Sequence, residues 1–157
     1  TKVRGSQEGT AKELLASWAK AIETKDYVSL DVLYEDAVSF LEKCKSDGHE
    51  VIFLSARQDE ALLVKERKAL GIYDYARDVI VADPADAFVQ KQEAVRRLLE
   101  EGVDRNEILM VGDTENEWKT AQALGVKAFL LNRGFRNKNF WDRMDVESCS
   151  GLDGVFN

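Results

Sequence analysis

The stretch ILMVGDTENEWKTAQALGV, residues 108–126, carries the pattern that decides the fold. It begins with a short apolar run at 108–111, which predicts a buried β-strand. Residues 115–124 then predict a helix, which ends at Gly125 because glycine readily adopts the left-handed conformation that closes many helices. A buried strand followed directly by a helix is the repeating unit of α/β proteins.

The same alternation continues on both sides of this stretch. Other short apolar segments predict further strands, and amphipathic segments between them predict helices. Because short, wholly apolar strands are usually buried on both faces, the pattern predicts an α/β fold with a doubly wound parallel sheet. The further strands are predicted at 51–54, 79–82 and 127–131, and the further helices at 34–45, 58–70 and 88–101.

The N-terminal residues precede this alternation. Thr10 followed by Glu13 fits a capping box, which predicts a helix that ends at about residues 20–23. The chain has 157 residues and no repeat or Pro/Gly/Ser-rich linker, as expected of one domain. We therefore expect a single domain at 1–157, with an N-terminal helical region at 1–33 and the core at 34–157.

The composition is that of a globular protein rather than a disordered one, with 45% hydrophobic and 32% charged residues. A net charge of −7 opposes a nucleic-acid backbone and disfavours a general nucleic-acid binder. No apolar run approaches the roughly 20 residues that a membrane-spanning helix needs. Cys44 and Cys149 lie far apart in the sequence and predict reduced thiols, so we expect a cytoplasmic protein without membrane or nucleic-acid partners.

The ligand crevice of a parallel α/β sheet lies at the carboxyl ends of its strands. The residues that directly follow the predicted strands are therefore the candidates for chemistry. Basic and aromatic residues at 134–143 predict a loop and helix that cover this crevice and place Arg133 or Arg136 where they could contact substrate. The candidates are Ser55-Ala56-Arg57, Asp83, Gly112-Asp113-Thr114 and Asn132-Arg133-Gly134.

Asp113 and Glu117 form the sharpest candidate site. Asp113 follows a predicted strand, and Glu117 lies in the first turn of the next predicted helix. Mg²⁺ takes one or two carboxylates together with water and phosphate oxygens, so this pair suits a magnesium ion. In the alternative interpretation, Asp113 only caps the helix and Glu117 is a solvated surface charge.

The segment GDTENE, followed by an alanine-containing helix and by LGVKAFLL, resembles the fourth motif of the haloacid dehalogenase superfamily. The resemblance implies that Asp113 binds Mg²⁺ and that Glu117 either binds the ion or supports its ligands. The family usually has aspartate as the second acid, and Glu117 departs from this pattern. The resemblance also implies a Rossmann-like core with a small cap, at 1–33, or none.

Two further segments match the family in the expected order. VIFLSAR resembles the second motif, whose serine, here Ser55, bonds a phosphoryl oxygen, although taken alone Ser55 fits a turn better. Lys91 matches the lysine that neutralises phosphate, although taken alone it fits a solvated charge. The resemblance implies Ser55, Lys91 and Asp113 as catalytic residues. It implies Ser55, Ala56, Arg57 and Lys91 as substrate-binding residues, although Arg57 also fits a surface charge.

The first motif of the superfamily, an apolar strand that ends in Asp-x-Asp, is absent from the 157 residues. In the family, the first Asp attacks phosphorus and the second acts as acid and base. This strand would lie between the strands at 51–54 and 108–111. Without it, those two strands would pair directly or leave buried backbone groups unpaired, each at about 1–3 kcal/mol. We therefore expect the nucleophile strand to lie outside these residues.

The resemblance implies a Mg²⁺-dependent phosphatase that acts on a small phosphomonoester, with a lid that a second copy or a partner chain could supply. A second hypothesis is a non-catalytic module of the same fold that binds a partner or a phosphorylated ligand. A third, a receiver-like or nucleotide-binding domain, is disfavoured because no G-x-G-x-x-G or P-loop pattern follows any predicted strand.

Overall fold

The structure, a computed structural model, describes residues 13–14, 17, 20–21, 24–56, 59–82 and 86–156. Thr10, with its predicted capping box, lies outside these residues, as do Arg57 and Asp83. Within the described part of the chain, no helix is both long and apolar enough to cross a membrane.

Helices and strands alternate along the described residues. The strands are β1 (Val51–Ser55), β2 (Ala76–Val81), β3 (Leu109–Gly112) and β4 (Lys127–Leu130). The helices are α1 (Lys25–Val28), α2 (Ala37–Ser46), α3 (Glu60–Ala69), α4 (Ala87–Glu100), α5 (Glu115–Leu124) and α6 (Lys138–Arg143). Of these, α2 to α5 end within one residue of the predicted positions, and α1 was not predicted. Short 3-10 turns lie at Tyr73–Tyr75, Arg105–Glu107 and Leu152–Phe156.

The strands are parallel, and the predicted α/β fold is confirmed. β1 pairs with β2, with Leu54 opposite Ile80, and β3 pairs with β4, with Val111 opposite Phe129. Among the described residues these are two separate strand pairs, and β1 does not hydrogen-bond to β3. Of the two outcomes expected without a central strand, direct pairing of β1 with β3 is therefore not the one observed.

β2 begins earlier than the apolar run at 79–82 predicts. Arg77 and Asp78 are exposed within the strand, which hides its start from a search for apolar residues. The Arg77 guanidinium lies 2.8 Å from a carboxylate oxygen of Glu50, next to the start of β1. The cross-strand charge pair and the parallel backbone hydrogen bonds account for the longer strand.

The two strand pairs meet at one apolar core. Its buried centre comes from α4, from β3 and the residue that precedes it, and from α5, and Leu54 of β1 packs against it. Every residue of β1 is nevertheless only partly buried, although four of the five are large and apolar. A strand of this composition is typical of the middle of a sheet. The buried residues of the centre are Val95, Ile108, Met110 and Ala121.

Candidate functional site

Asp113 follows the last residue of β3 and is half-buried. The backbone N–H of Phe135 donates a hydrogen bond of 2.7 Å to its Oδ2 atom. Gly134 lies against the same oxygen, so closely that a Cβ atom added at Gly134 would overlap it. The loop that follows β4 therefore lies directly on the Asp113 carboxylate.

Lys91 and Glu117 form a buried ion pair that joins α4 to α5. The Lys91 Nζ atom contacts Oε1 of Glu117, and the two side chains are 11% and 7% exposed. The other oxygen, Oε2, accepts hydrogen bonds from the Thr114 backbone N–H at 3.1 Å and from the Thr114 hydroxyl at 2.5 Å. Neither Lys91 nor Glu117 is the solvated surface charge of the alternative interpretation.

The start of α5 is capped by Thr114 and not by Asp113. The Thr114 hydroxyl accepts from the backbone N–H of Asn116, and Glu117 completes a capping box by accepting from the Thr114 N–H. This leaves the Asp113 side chain available for another role. The pattern Thr-x-x-Glu at 114–117 is the usual signature of such a box and was a signal in the sequence that our prediction did not use.

Gly112 makes room for Glu117. A Cβ atom at Gly112 would lie 2.7 Å from Cδ and 2.9 Å from Oε2 of that side chain, distances too short for non-bonded atoms. A glycine at a strand end can also let a ligand approach the backbone closely. In the structure the immediate neighbour of Gly112 is the Glu117 carboxylate, which folds back over the end of β3.

The residues present fit a magnesium ion through Asp113. One of its carboxylate oxygens is bonded to a single N–H, and Mg²⁺ can be held by one protein carboxylate together with water and substrate oxygens. Glu117 differs, because both of its oxygens have partners on Lys91 and Thr114. Within the described residues, no group of three or more His, Cys, Asp or Glu side chains could hold a metal ion. The metal-binding roles of Asp113 and Glu117 stay predictions.

Ser55 is the last residue of β1, as predicted, and its carbonyl oxygen accepts the Ala82 N–H at 2.7 Å. Ala56 follows it and is exposed. Ser55 thus occupies the carboxyl end of β1, as Gly112 does for β3. The predicted role of Ser55 toward phosphate stays a prediction, and Arg57 falls outside the described residues.

Arg133 and Arg136, which the sequence placed within reach of substrate, are both engaged within the protein. An Nη atom of Arg133 lies 2.6 Å from Oδ1 of Asp36, and its guanidinium lies 4.3 Å from the Tyr34 ring centre. Arg136 makes two hydrogen bonds, of 2.7 and 2.8 Å, to the Glu115 carboxylate. These two arginines thus tie the loop after β4 to the starts of α2 and α5.

These ion pairs shift the pKa values of Asp36, Glu115 and Arg136. The hydrogen bond from Arg133 lowers the pKa of Asp36, assisted by the Leu152 backbone N–H. The hydrogen bonds from Arg136 lower the pKa of Glu115. The pKa of Arg136 is raised by Glu115, with a smaller contribution from the charge of Asp113. The Asp36 and Glu115 carboxylates are therefore ionised at neutral pH.

Acid is expected to destabilise the protein through these two carboxylates. A carboxyl group whose pKa is lowered by folding stabilises the native state above its ordinary pKa, and this stabilisation disappears as the pH falls through the folded-state pKa. The free energy of unfolding from urea titrations should therefore decline from about pH 5 towards pH 3. Asp36→Asn should flatten this decline, and an unchanged slope would contradict the role of the Arg133 pair.

A comparison with protein families supports the resemblance. A family model described as haloacid dehalogenase-like hydrolase matches residues 5–125, which is most of the chain. A search of curated proteins found no match.

Solved structures share the fold at low sequence identity. A haloacid dehalogenase-like family protein from Streptococcus pneumoniae has a TM-score of 0.66 and 16% identity, over 96% of this chain and 69% of that one. A predicted phosphatase from Clostridium acetobutylicum has a TM-score of 0.72 and 13% identity, over 94% of this chain and 68% of that one. Protein Tyrosine Kinase A from Mycobacterium tuberculosis has a TM-score of 0.69 and 15% identity, over 93% of this chain and 68% of that one. These likenesses concern the fold, on which different activities occur.

Proposed function

Because the chain belongs to the haloacid dehalogenase-like hydrolase family, we propose that it is the phosphate- and metal-holding part of a Mg²⁺-dependent phosphatase. The substrate in this proposal is a small phosphomonoester, and catalysis passes through an aspartyl-phosphate. The nucleophilic aspartate lies outside the 157 residues, which contain no Asp-x-Asp.

The buried ion pair of Lys91 with Glu117 carries the proposal. Burying two charges costs solvation energy, and a helix cap alone does not require a lysine in the interior. Such buried charges are concentrated at functional sites. Glu117 lies on α5, the helix that begins next to Asp113, and Lys91 reaches Glu117 from α4. An ammonium that could bind an anion is thus tied to the helix that follows the proposed metal ligand.

Each residue has a role that suits its chemistry. Asp113 would supply a carboxylate ligand to Mg²⁺, and the ion, when bound, would supply positive charge to the phosphoryl oxygens. The Lys91 ammonium has three N–H donors, and those not directed at Glu117 can bond phosphoryl oxygens. Glu117 holds that ammonium in place. Ser55 donates its hydroxyl to another phosphoryl oxygen, as the family resemblance implies, and Ala56 and Arg57 extend the substrate side of the crevice.

The two separate strand pairs support the position of the nucleophile. β1 is composed like a central strand but pairs on one side only within the described residues, and Leu54 packs against the core under β3. A parallel strand between β1 and β3 would complete one sheet. Its carboxyl end would then bring an aspartate between Ser55 and Asp113, where the phosphoryl group is proposed to bind.

The proposal also covers the cap and lid over the site, the cellular location and the substrate. The N-terminal region at 1–33 forms a small cap, and a second copy of the chain or a partner chain supplies any further lid. The protein acts in the cytoplasm. Screening phosphorylated sugars, nucleotides and peptides tests which phosphomonoester is the substrate.

A second candidate is a binding module without catalysis. It is favoured by one observation, namely that no residue pair in the sequence matches the nucleophile motif. Such a module would bind a phosphorylated ligand at Lys91 and Asp113 without turning it over.

Assays with p-nitrophenyl phosphate separate the two candidates. A polypeptide that joins the 157 residues to their nucleophile strand should release nitrophenol in the presence of Mg²⁺, and the 157 residues alone should not. Activity of the longer polypeptide should disappear with a chelator and return with added Mg²⁺. Hydrolysis by the 157 residues alone would contradict the assigned nucleophile, and no hydrolysis by either polypeptide would favour the binding module.

A further inference from the structure

The backbone of the loop at 132–137 lies in direct contact with the Asp113 carboxylate. The backbone N–H of Phe135 bonds Oδ2 of Asp113 at 2.7 Å, and Gly134 lies against the same carboxylate. The φ angle of Gly134 is not among the positive ones, so any residue could adopt its backbone conformation. The glycine is therefore explained by the space that the Asp113 side chain occupies, and not by the shape of the turn.

Both ends of this loop are fixed by arginine ion pairs. Arg136 forms a two-pronged bond with Glu115 in the first turn of α5, two residues after Asp113. Its guanidinium also lies 4.7 Å from the Phe140 ring centre. At the other end, Arg133 pairs with Asp36 at 2.6 Å. Two-pronged arginine–carboxylate bonds fix orientation as well as distance.

We propose that the loop at 132–137 is a positioning element for the metal ligand, in which Gly134, Arg136 and Glu115 set the direction of the Asp113 carboxylate. The proposal rests on the proposed function, since it takes Asp113 as the Mg²⁺ ligand. The Phe135 N–H occupies Oδ2 and thereby directs the remaining lone pairs of the carboxylate toward the crevice. Arg136 and Glu115 act through the backbone of Phe135 and are positioning residues rather than catalytic ones.

Energetics favour such a support. A single carboxylate that rotates freely must lose that freedom when the ion binds, whereas one already held by an N–H does not. Partners that orient metal ligands typically change metal affinity by about 10–100-fold when they are removed. The Arg136–Glu115 pair is partly shielded from solvent, with 34% and 26% of the side chains exposed, so it is less mobile than a fully exposed ion pair.

The first test measures Mg²⁺ affinity by calorimetry, with the metal alone and no substrate, in the polypeptide that includes the nucleophile strand. Arg136→Gln and Glu115→Gln should each weaken Mg²⁺ binding by about 10-fold. The double variant should bind no more weakly than either single variant, because both substitutions break the same pair. Lys138→Met is the control: it removes the exposed ion pair between Lys138 and Asp142 within α6 and should leave the Mg²⁺ affinity unchanged.

The second test examines Gly134 without any metal. Gly134→Ala should lower the urea midpoint of unfolding, because its new methyl group meets the Asp113 carboxylate. In an Asp113→Ala background the same substitution should change the midpoint much less. Equal changes of the urea midpoint in both backgrounds would show that the methyl group added by Gly134→Ala meets something other than Asp113. That result would overturn this part of the proposal.

The outcomes also separate this inference from the proposed function. If Asp113→Asn leaves Mg²⁺ binding intact, Asp113 is not the ligand and the proposed function fails. If Asp113→Asn abolishes binding while the Arg136 and Glu115 variants bind like the unmodified protein, the metal role stands and the positioning role is overturned. Parallel weakening by Lys138→Met would also overturn it, because any lost ion pair would then have the same effect.

Discussion

Asp113→Asn is expected to lower kcat by about 10³-fold in the polypeptide that includes the nucleophile strand, the size of effect seen when one preorganised electrostatic group is removed. Asparagine has the same shape and can still accept the Phe135 N–H bond, so the fold should stay intact. It lacks the negative charge that a magnesium ligand supplies. Initial rates at saturating p-nitrophenyl phosphate, measured over a series of Mg²⁺ concentrations, test this.

Asp142→Asn is the matched control, since Asp142 is an exposed carboxylate paired with Lys138 on α6. It should change kcat less than twofold, an estimate that follows from the small contribution of exposed ion pairs. Thermal unfolding of both variants should stay close to that of the unmodified protein. Full activity of Asp113→Asn would refute the assigned role of Asp113, whatever the control shows.

Lys91→Met is expected to cost about 3–5 kcal/mol of unfolding free energy, the range for removing one partner of a buried ion pair. Methionine fills a similar volume but leaves the Glu117 carboxylate, 7% exposed, without its cation. The remaining partners of Glu117, on Thr114, cannot neutralise that charge. Urea titrations followed by circular dichroism measure the loss, and the stability should be determined before any loss of activity is interpreted.

The double variant Lys91→Met with Glu117→Gln should recover most of this stability. The neutral amide can still accept from Thr114 and no longer needs a cation, and a buried pair replaced as a whole often costs little. Lys138→Met, which breaks an exposed pair, should cost less than about 1 kcal/mol. A Lys91→Met cost as small as that of Lys138→Met would contradict a tight buried pair.

Much of the fold could be predicted because it depends on local patterns. The apolar run at 108–111 and the helix at 115–124 were found within one residue of their observed bounds. The start of α2 was placed too early, since the helix begins at Ala37 and not at residue 34. Asp36 accepts from Arg133 and from the Leu152 N–H, contacts made with distant residues that a local pattern does not contain.

The site was predictable as a set of residues and not as a set of contacts. Lys91 and Glu117 were both named, but their pairing joins residues 26 positions apart on two helices. The bonds between Arg136 and Glu115 span 21 positions. Helical spacing reveals neighbours three or four positions apart and nothing at these separations. Contacts of this kind depend on how helices and loops are brought together by the packing of the core.

The junction at Asp36 has a consequence for the order in which the protein is made. Asp36 bonds Arg133, 97 positions later, and the Leu152 N–H, 116 positions later. Synthesis proceeds from the N-terminus, so α2 leaves the ribosome long before either partner exists. The arginine tether at this end of the loop can form only after Arg133 has emerged. This part of the site therefore assembles only after segments about 100 positions apart have both been made.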